Sequence, residues 1–428
     1  MSDPTTDPAL RSWVPVPSGS DFPIQNLPFG AFRRGADAPR LAVAIGDAVL
    51  DLRALAEAGL LDDVATEARA IFSAPLLNPL LAAGRPAWRA ARERISQVLR
   101  AGDRTLHDAG ANAALIDRAD VTLDLPVAVG DYVDFYSSLE HATNLGKILR
   151  PDSEPLLPNW RYLPIGYHGR TGTVVSSGTP VTRPRGQLKA AAGAPEFGPS
   201  RALDFELELG FVTGNGPPPP GVVPVARARE RIFGVALLND WSARDIQAWE
   251  YQPLGPFLGK SFATSLGPWI VTLDALEPFR VAGPPQEPPP LPHLATAEAE
   301  GYDISLDVTL ASEIERARGL VAQTISQTNF RAMYWSMAQQ LAHASSNGAS
   351  IRAGDLFGSG TISGSAPDTY GSMIELTWRG ARPLSLADGT ARAFLEDRDE
   401  IVMRAWCEGE GRARIGFGEV RGCIEPAR

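Results

Sequence analysis

The chain has 428 residues, with 40 basic and 50 acidic side chains and a net charge of −10. Its length suggests two or three domains, and 44% hydrophobic with 21% charged residues excludes general disorder. The acidic balance argues against a nucleic-acid-binding surface, which needs a basic stripe, and no apolar run approaches the roughly 18 residues of a membrane span.

The 41 glycines and 37 prolines exceed the usual combined share of about 12%, which points to many turns and away from a helical bundle. Two cysteines, Cys407 and Cys423, make no disulfide framework and read as small apolar residues of strands in a reducing compartment. The opening residues MSDPTTDPALRSWVPVP lack a basic region followed by an apolar run, so no signal peptide is expected. The expectation is a soluble cytoplasmic protein.

In chain order, Leu41 to Ile45 and Ala48 to Leu52 flank Gly46-Asp47 and predict a hairpin with a type II′ turn. Ala-, Leu- and Arg-rich segments at 53–72, 75–83 and 86–100 have helical composition, with Pro86 where a first turn tolerates it. Arg92, Arg94 and Arg100 read as a solvated helix face. After Val121 the composition turns to strands and turns, and a domain boundary is placed near 122–128. Pro217–Pro220 and Pro284–Pro292 read as surface loops. Residues 203–211, LDFELELGF, alternate strictly, with Asp204, Glu206 and Glu208 on one face. Residues 232–239 form an apolar strand ending at Asn239-Asp240, after which Ser242 and Asp245 resemble a capping box. A helix is expected over 330–346, closed by Asn347-Gly348, and a strand over 372–378 with Met373, Glu375 and Thr377 on one face.

Glu206 and Glu208, two residues apart on a strand, can reach one point in space. Like charges this close repel unless something positive lies between them. Asp240 and Asp134 occupy positions suited to the same point, and four carboxylates suit a hard cation such as Ca²⁺ or Mg²⁺ better than zinc. The bland alternative is the solvent-facing side of an edge strand.

Of the five histidines, His107 and His293 read as incidental. His343 falls near a helix C-terminus, which favours imidazolium, and His168 lies in a Gly-flanked turn. His141 lies seven residues after Asp134 and needs a carboxylate partner before it counts as a base. Arg244 and Gln247 share a helix face, and Lys260 follows the loop GPFLG. With Asp240 they could form an oxyanion-stabilising set, or simply a solvated helix. No G-x-S-x-G elbow, P-loop or dinucleotide fingerprint is present. The GSGTISG run at 358–364 lacks a following helix and is rejected as a phosphate loop.

The segments DFPIQNLPFG (21–30), DYVDFYSSLEHATNLG (131–146), LPIGYHGR (163–170), LDFELELGF (203–211), NDWSARDIQAWEYQPLGPFLGKSF (239–262), GDLFGSGTISG (354–364), GSMIELTWRG (371–380) and RIGFGEVRG (414–422) resemble the fumarylacetoacetase family. The 239–262 block is the most specific, and the match at 21–30 favours this family over smaller related hydrolases and decarboxylases. The resemblance implies a mainly β fold with some α. An N-terminal SH3-like barrel with helical additions (1–124) would precede a larger C-terminal mixed β-roll domain (125–428). It implies a homodimeric, metal-dependent hydrolase that cleaves the carbon–carbon bond of 4-fumarylacetoacetate in tyrosine and phenylalanine breakdown. It implies metal ligands at Asp134, Glu206, Glu208 and Asp240, with Lys260 and Thr264 near a second Mg²⁺. The base falls on His141, oriented by Glu375. Arg244, Gln247 and Lys260 would polarise the substrate, and Tyr136, Arg150, Tyr167, Tyr251 and Thr361 would contact it.

Overall fold

The computed structural model describes residues 3–190, 192–215, 221–296 and 300–428. Pro217–Pro220, expected as a loop, lies outside the described residues. The strands that position the site are, in chain order, β1 (Phe29–Arg33), β2 (Arg40–Ile45), β3 (Ala48–Asp51), β4 (Leu115–Asp117), β5 (Tyr132–Phe135), β6 (Gly166–His168), β7 (Leu207–Thr213), β8 (Ile232–Asp240), β9 (Trp269–Thr272) and β10 (Leu356–Gly358). They hydrogen-bond in the order β4-β3-β2-β1-β9-β8-β7-β10-β5-β6 within one 13-stranded sheet. A second sheet of five strands is ordered Gln323–Asn329, Ser305–Ala311, Glu400–Cys407, Ile415–Glu425 and Val181–Thr182.

The architecture is mixed α/β and mainly β. The expected SH3-like barrel is not seen as a closed barrel among the described residues: the N-terminal strands join the large sheet, with β1 paired to β9 from the C-terminal part and also to Thr122–Asp124. Strands β7 and β8 are buried along their whole length, because helices and the second sheet cover the large sheet. Such strands carry side chains on both faces into the interior. One consequence is that Glu206 and Glu208 are buried, at 5% and 0% exposure, which removes the solvent-facing reading of LDFELELGF. The run is also not one strand. Leu203–Asp204 pairs with Ser242–Ala243, while β7 begins only at Leu207.

The hairpin is present as β2–β3, with Gly46 at φ +54°. The 53–72 segment is two short helices, Leu52–Glu57 and Ala68–Ser73. The 330–346 expectation is corrected to a 3₁₀ turn, Phe330–Ala332, and a helix, Met337–Ser345. A capping box between Ser336 and Gln339 starts the helix there, since it satisfies first-turn N–H groups reciprocally. The 372–378 strand is corrected to a short helix, Met373–Leu376. Ser242 is not a cap: it sits in a strand, its hydroxyl donates to the Asp240 carbonyl, and Ala243 precedes the Arg244–Glu250 helix. His343 is held below its ordinary pKa by burial and by His293, so burial outweighs the helix-terminus effect.

Arg92 is also corrected. It lies on the Arg85–Leu99 helix but is 1% exposed. Its guanidinium donates to Thr5 Oγ1 (2.8 Å) and to the carbonyls of Asn26 (2.5 Å) and Gln25 (2.6 Å). Burial lowers its pKa to about 10. Apolar periodicity could not reveal this, because the acceptors, one hydroxyl and two backbone carbonyls, are distant in sequence. Removing a buried donor strands its acceptors without water. Arg92→Met should therefore lower stability by about 3 kcal/mol, read as a fall in the urea midpoint.

Candidate active site and metal centre

Each acidic side chain of the centre comes from a strand end or from the connection between strands. Asp134 lies in β5, Glu208 in β7 and Asp240 at the last residue of β8, while Glu206 sits just before β7 in an isolated bridge to Ser372. Strand β10 separates β7 from β5, with Gly358 opposite Asp134 and Gly210. The four carboxylates, all buried, offer ligand atoms within 4.8 Å of one another. A Cβ on Gly358 would lie 2.6 Å from Asp134 Oδ1 and 2.9 Å from Glu208 Oε2, so only glycine leaves this space open.

Cations offset part of the charge. The Lys260 ammonium is paired with Glu206 and lies 2.7 Å from Asp240 Oδ2. The Arg244 guanidinium donates from Nη2 to Glu206 Oε1 (2.7 Å) and from Nε to Asp204 Oδ2 (2.7 Å). Burial alone would raise the Glu206 pKa, but Lys260, Arg244 and His141 outweigh it and hold Glu206 well below the usual range. The other pair of carboxylates forms no ion pair among the described residues, and the charge of Lys260 only partly offsets burial there. Burial and then the charge of Asp240 push Asp134 well up. Burial and then Asp134 do the same to Glu208. Asp134 Oδ1 and Glu208 Oε1 are buried without any hydrogen-bond partner. Buried oxygens with no hydrogen-bond partner, on carboxylates that form no ion pair among the described residues, fit a hard divalent cation, which takes oxygen ligands.

His141 lies on the Leu139–Leu149 helix, whose N-cap Ser138 accepts from the His141 N–H. Its Nδ1 is 2.6 Å from Glu375 Oε2, and its Nε2 is 3.7 Å from Glu206 Oε1. Burial would raise the Glu375 pKa, but the charge and hydrogen bond of His141 and bonds from Asn144 and Ser372 lower it. An ionised Glu375 is an acceptor, so Nδ1 donates to it and Nε2 faces the carboxylate cluster. Glu375 is held in turn by Asn144 Nδ2 (3.0 Å), Ser363 Oγ (3.0 Å) and Ser372 Oγ (2.7 Å).

The remaining candidates ring this centre unevenly. Arg244 Nη1 donates to Gln247 Oε1 (3.2 Å), which turns the Gln247 amide so that its NH₂ stays available. Tyr167 is half-buried and donates to Asp240 Oδ2 (2.9 Å); burial and Asp240 raise its pKa, so it remains a phenol. Thr264 Oγ1 donates to Asp240 Oδ1 (3.2 Å). The Tyr136 ring stands edge-on to His141 with centroids 5.3 Å apart. Thr361 Oγ1 and Arg150 Nε are buried without partners, although Arg150 Nη2 donates to the Pro155 carbonyl. Tyr251 is farther out, its hydroxyl accepting from Gln252. His168 is exposed on β6.

Sequence reasoning missed five residues that hold the site: Asp204, Asn144, Ser363, Ser372 and Gly358. Asp204 shares the alternating face of Glu206, and Asn144 lies one helical turn after His141, so both left a signal. Ser363 and Ser372 left none, since only the fold brings their hydroxyls to Glu375.

Two family models match the chain. One, described as fumarylacetoacetate hydrolase C-terminal, covers residues 132–425, and one, described as fumarylacetoacetase N-terminal, covers 25–126. Proteins named fumarylacetoacetase are similar over nearly full length. That of Arabidopsis thaliana is 49% identical, covering 98% of this chain and 99% of its own. That of Homo sapiens is 47% identical, covering 97% and 99%. That of Caenorhabditis elegans is 48% identical, covering 98% and 100%. Among solved structures, one described as an HpcE protein of Mycobacterium smegmatis is 18% identical with a TM-score of 0.52, covering 93% of this chain and 99% of that one. This last likeness bears on the fold alone. No helix among the described residues is long and apolar enough to cross a membrane.

Glu208→Gln and Gly358→Ala should each weaken divalent-cation binding by about tenfold or more, by analogy with losses at metal sites generally, measured by titration calorimetry with Ca²⁺ and Mg²⁺ as probes. Unchanged affinity in both would remove the cation site. Raised pKa values on Asp134 and Glu208 mean that both hold protons at higher pH than ordinary carboxylates. A cation must displace those protons, so affinity should rise with pH, and binding should release protons detectable in buffers of different ionisation enthalpy.

Proposed function

We propose that the chain, which belongs to the fumarylacetoacetase family, adds water across the carbon–carbon bond of 4-fumarylacetoacetate to give fumarate and acetoacetate. The observation that carries the chemistry is the buried Glu375–His141 pair with Nε2 turned toward the carboxylate cluster. It supports a general base aimed at water beside that cluster. Hydrolysing a carbon–carbon bond is hard because the leaving group is a carbanion. A β-dicarbonyl substrate eases this, since the departing carbon leaves as an enolate.

His141 Nε2 takes a proton from water as the oxygen attacks the carbonyl next to the fumaryl group. Glu375 stabilises the imidazolium that forms, as an orienting carboxylate does. Lys260 has three N–H donors, of which Glu206 and Asp240 take two, leaving one for the developing oxyanion. Gln247 contributes its free NH₂ and Arg244 its unshared N–H groups. Oxyanion donors of this kind are each worth about 2.7–4 kcal/mol of barrier. As the carbon–carbon bond breaks, the imidazolium is the proton source for the carbon that leaves. Asp134, Glu206, Glu208 and Asp240 would hold Ca²⁺ or Mg²⁺, whose charge would stabilise the enolate. Arg150, Tyr136, Tyr167, Tyr251 and Thr361 would contact the substrate, Arg150 through the fork that suits a carboxylate. A second Mg²⁺ near Lys260 and Thr264 belongs to the same reading.

The reading also carries a homodimer in the cytoplasm. The unpaired Cys407 and Cys423 support a reducing setting, and sedimentation of the pure chain checks the dimer.

Pure protein should consume the diketo chromophore of fumarylacetoacetate, release fumarate and acetoacetate, and lose this activity to a chelator. No loss of the chromophore with Ca²⁺ or Mg²⁺ supplied would reject the function. His141→Ala should lower kcat by about 100-fold or more while still binding Ca²⁺, and near-normal turnover would reject the base assignment.

A further inference from the structure

Asp204 is fully buried and touches two halves of the proposed machinery at once. It lies in the Leu203–Asp204 strand, opposite Ser242. Its Oδ2 accepts from Arg244 Nε at 2.7 Å and from the Ile374 N–H at 3.1 Å. Its Oδ1 accepts from the Met373 N–H at 2.6 Å. Met373 and Ile374 open the helix that carries Glu375. Arg244 is the guanidinium beside Glu206 and Gln247.

The first N–H groups of a helix have no partner within it and are ordinarily satisfied by the side chain at the cap position. Ser372 occupies that position but makes no such bond. Its hydroxyl instead donates to Glu375 Oε2 at 2.7 Å. The cap is supplied from another strand, by Asp204, and this leaves Ser372 free to hold Glu375. The same carboxylate gives Arg244 a third anchor. Glu206 and Gln247 hold Nη2 and Nη1, and the bond to Asp204 at Nε adds a second charged acceptor that fixes the guanidinium plane on its stem side.

We infer that Asp204 is a positioning residue that sets the oxyanion-side guanidinium of Arg244 in register with the His141–Glu375 base. Fully enclosed, it touches no substrate and acts through the two groups it grips. The inference rests on the proposed roles of those groups.

The test uses the full chain with fumarylacetoacetate as substrate. Asp204→Asn keeps the shape but sets an NH₂ against either Arg244 Nε–H or the helix N–H groups, so one anchor is lost. A misplacement near 1 Å costs about 100-fold in rate. The expected result is a fall in kcat of about 100-fold with KM changed by less than about threefold and a cooperative thermal transition retained. Asp204→Asn acts through Arg244, Glu375 or both, so in at least one of the double variants with Glu375→Gln or Arg244→Lys it should add less than about threefold to the loss from that partner change alone, because residues acting through one another are non-additive. A kcat near that of the unaltered chain, an effect confined to KM, or full additivity in both double variants overturns the inference. If Asp204→Asn does not fold, Asp204→Glu, which retains the charge and both acceptors on a longer stem, should fold and show the same selective fall in kcat. Unaltered kcat there, or failure of both variants to fold, rejects the positioning role. His141→Ala and Glu375→Gln measured alongside separate the two levels. If these keep full turnover, the base assignment fails; if they lose it while Asp204→Asn keeps it, only the role of Asp204 fails.

Discussion

Four carboxylates gathered within 4.8 Å inside the protein are a constraint that the surrounding structure has to answer. Burying one charge is costly, and burying several of one sign adds mutual repulsion. The answer is partial. Lys260 and Arg244 lie against Glu206 and Asp240 and keep Glu206 ionised. Asp134 and Glu208 form no ion pair among the described residues, and burial with the neighbouring carboxylates pushes both pKa values up. The cluster is therefore unequal, with one side neutralised by the chain and the other open to a divalent ion.

The same constraint explains the local geometry. Carboxylates can converge only where strand ends meet, and the order β8-β7-β10-β5 brings Asp240, Glu208 and Asp134 to one region. Gly358 stands in β10 between the strands bearing Glu208 and Asp134, and its missing side chain is the space they share. The base is assembled beside the cluster on separate elements. His141 comes from a helix capped by Ser138, and Glu375 from a short helix whose opening N–H groups are held by Asp204. Buried ion pairs of this kind contribute little net stability, because desolvation offsets their attraction. Their value here is orientation: each donor and acceptor has one place to point.

Much of this was legible in the chain. The i, i+2 spacing of Glu206 and Glu208 put both on one face, and the apolar run before Asp240 read as a strand end. Both features are local, so alternation suffices to find them. The capping boxes were less well read. The Ser242–Asp245 pattern matched by spacing but failed in the fold, because Ser242 is drawn into strand pairing with Asp204. The Ser336–Gln339 box was overlooked within a longer apolar stripe, although it fixes where that helix begins. Arg92 looked solvated because its acceptors, at Thr5, Gln25 and Asn26, are more than sixty residues away.

The sequence by itself determined the apolar strand ending at Asp240, the close spacing of the acidic residues in 203–211 and the motif blocks that carry the family, because these depend on side-chain order along a short segment. Tertiary structure decided which acidic residues lose their counter-charge, where His141 finds its carboxylate and why 373–376 is helical rather than extended. Each of these depends on groups far apart in the chain. Glu375 meets His141 across 234 positions, and the helix bearing Glu375 opens where Asp204, 169 residues before Met373, accepts its first free N–H. No local pattern encodes such pairs, because burial and desolvation set their strength only once the sheets have closed over them.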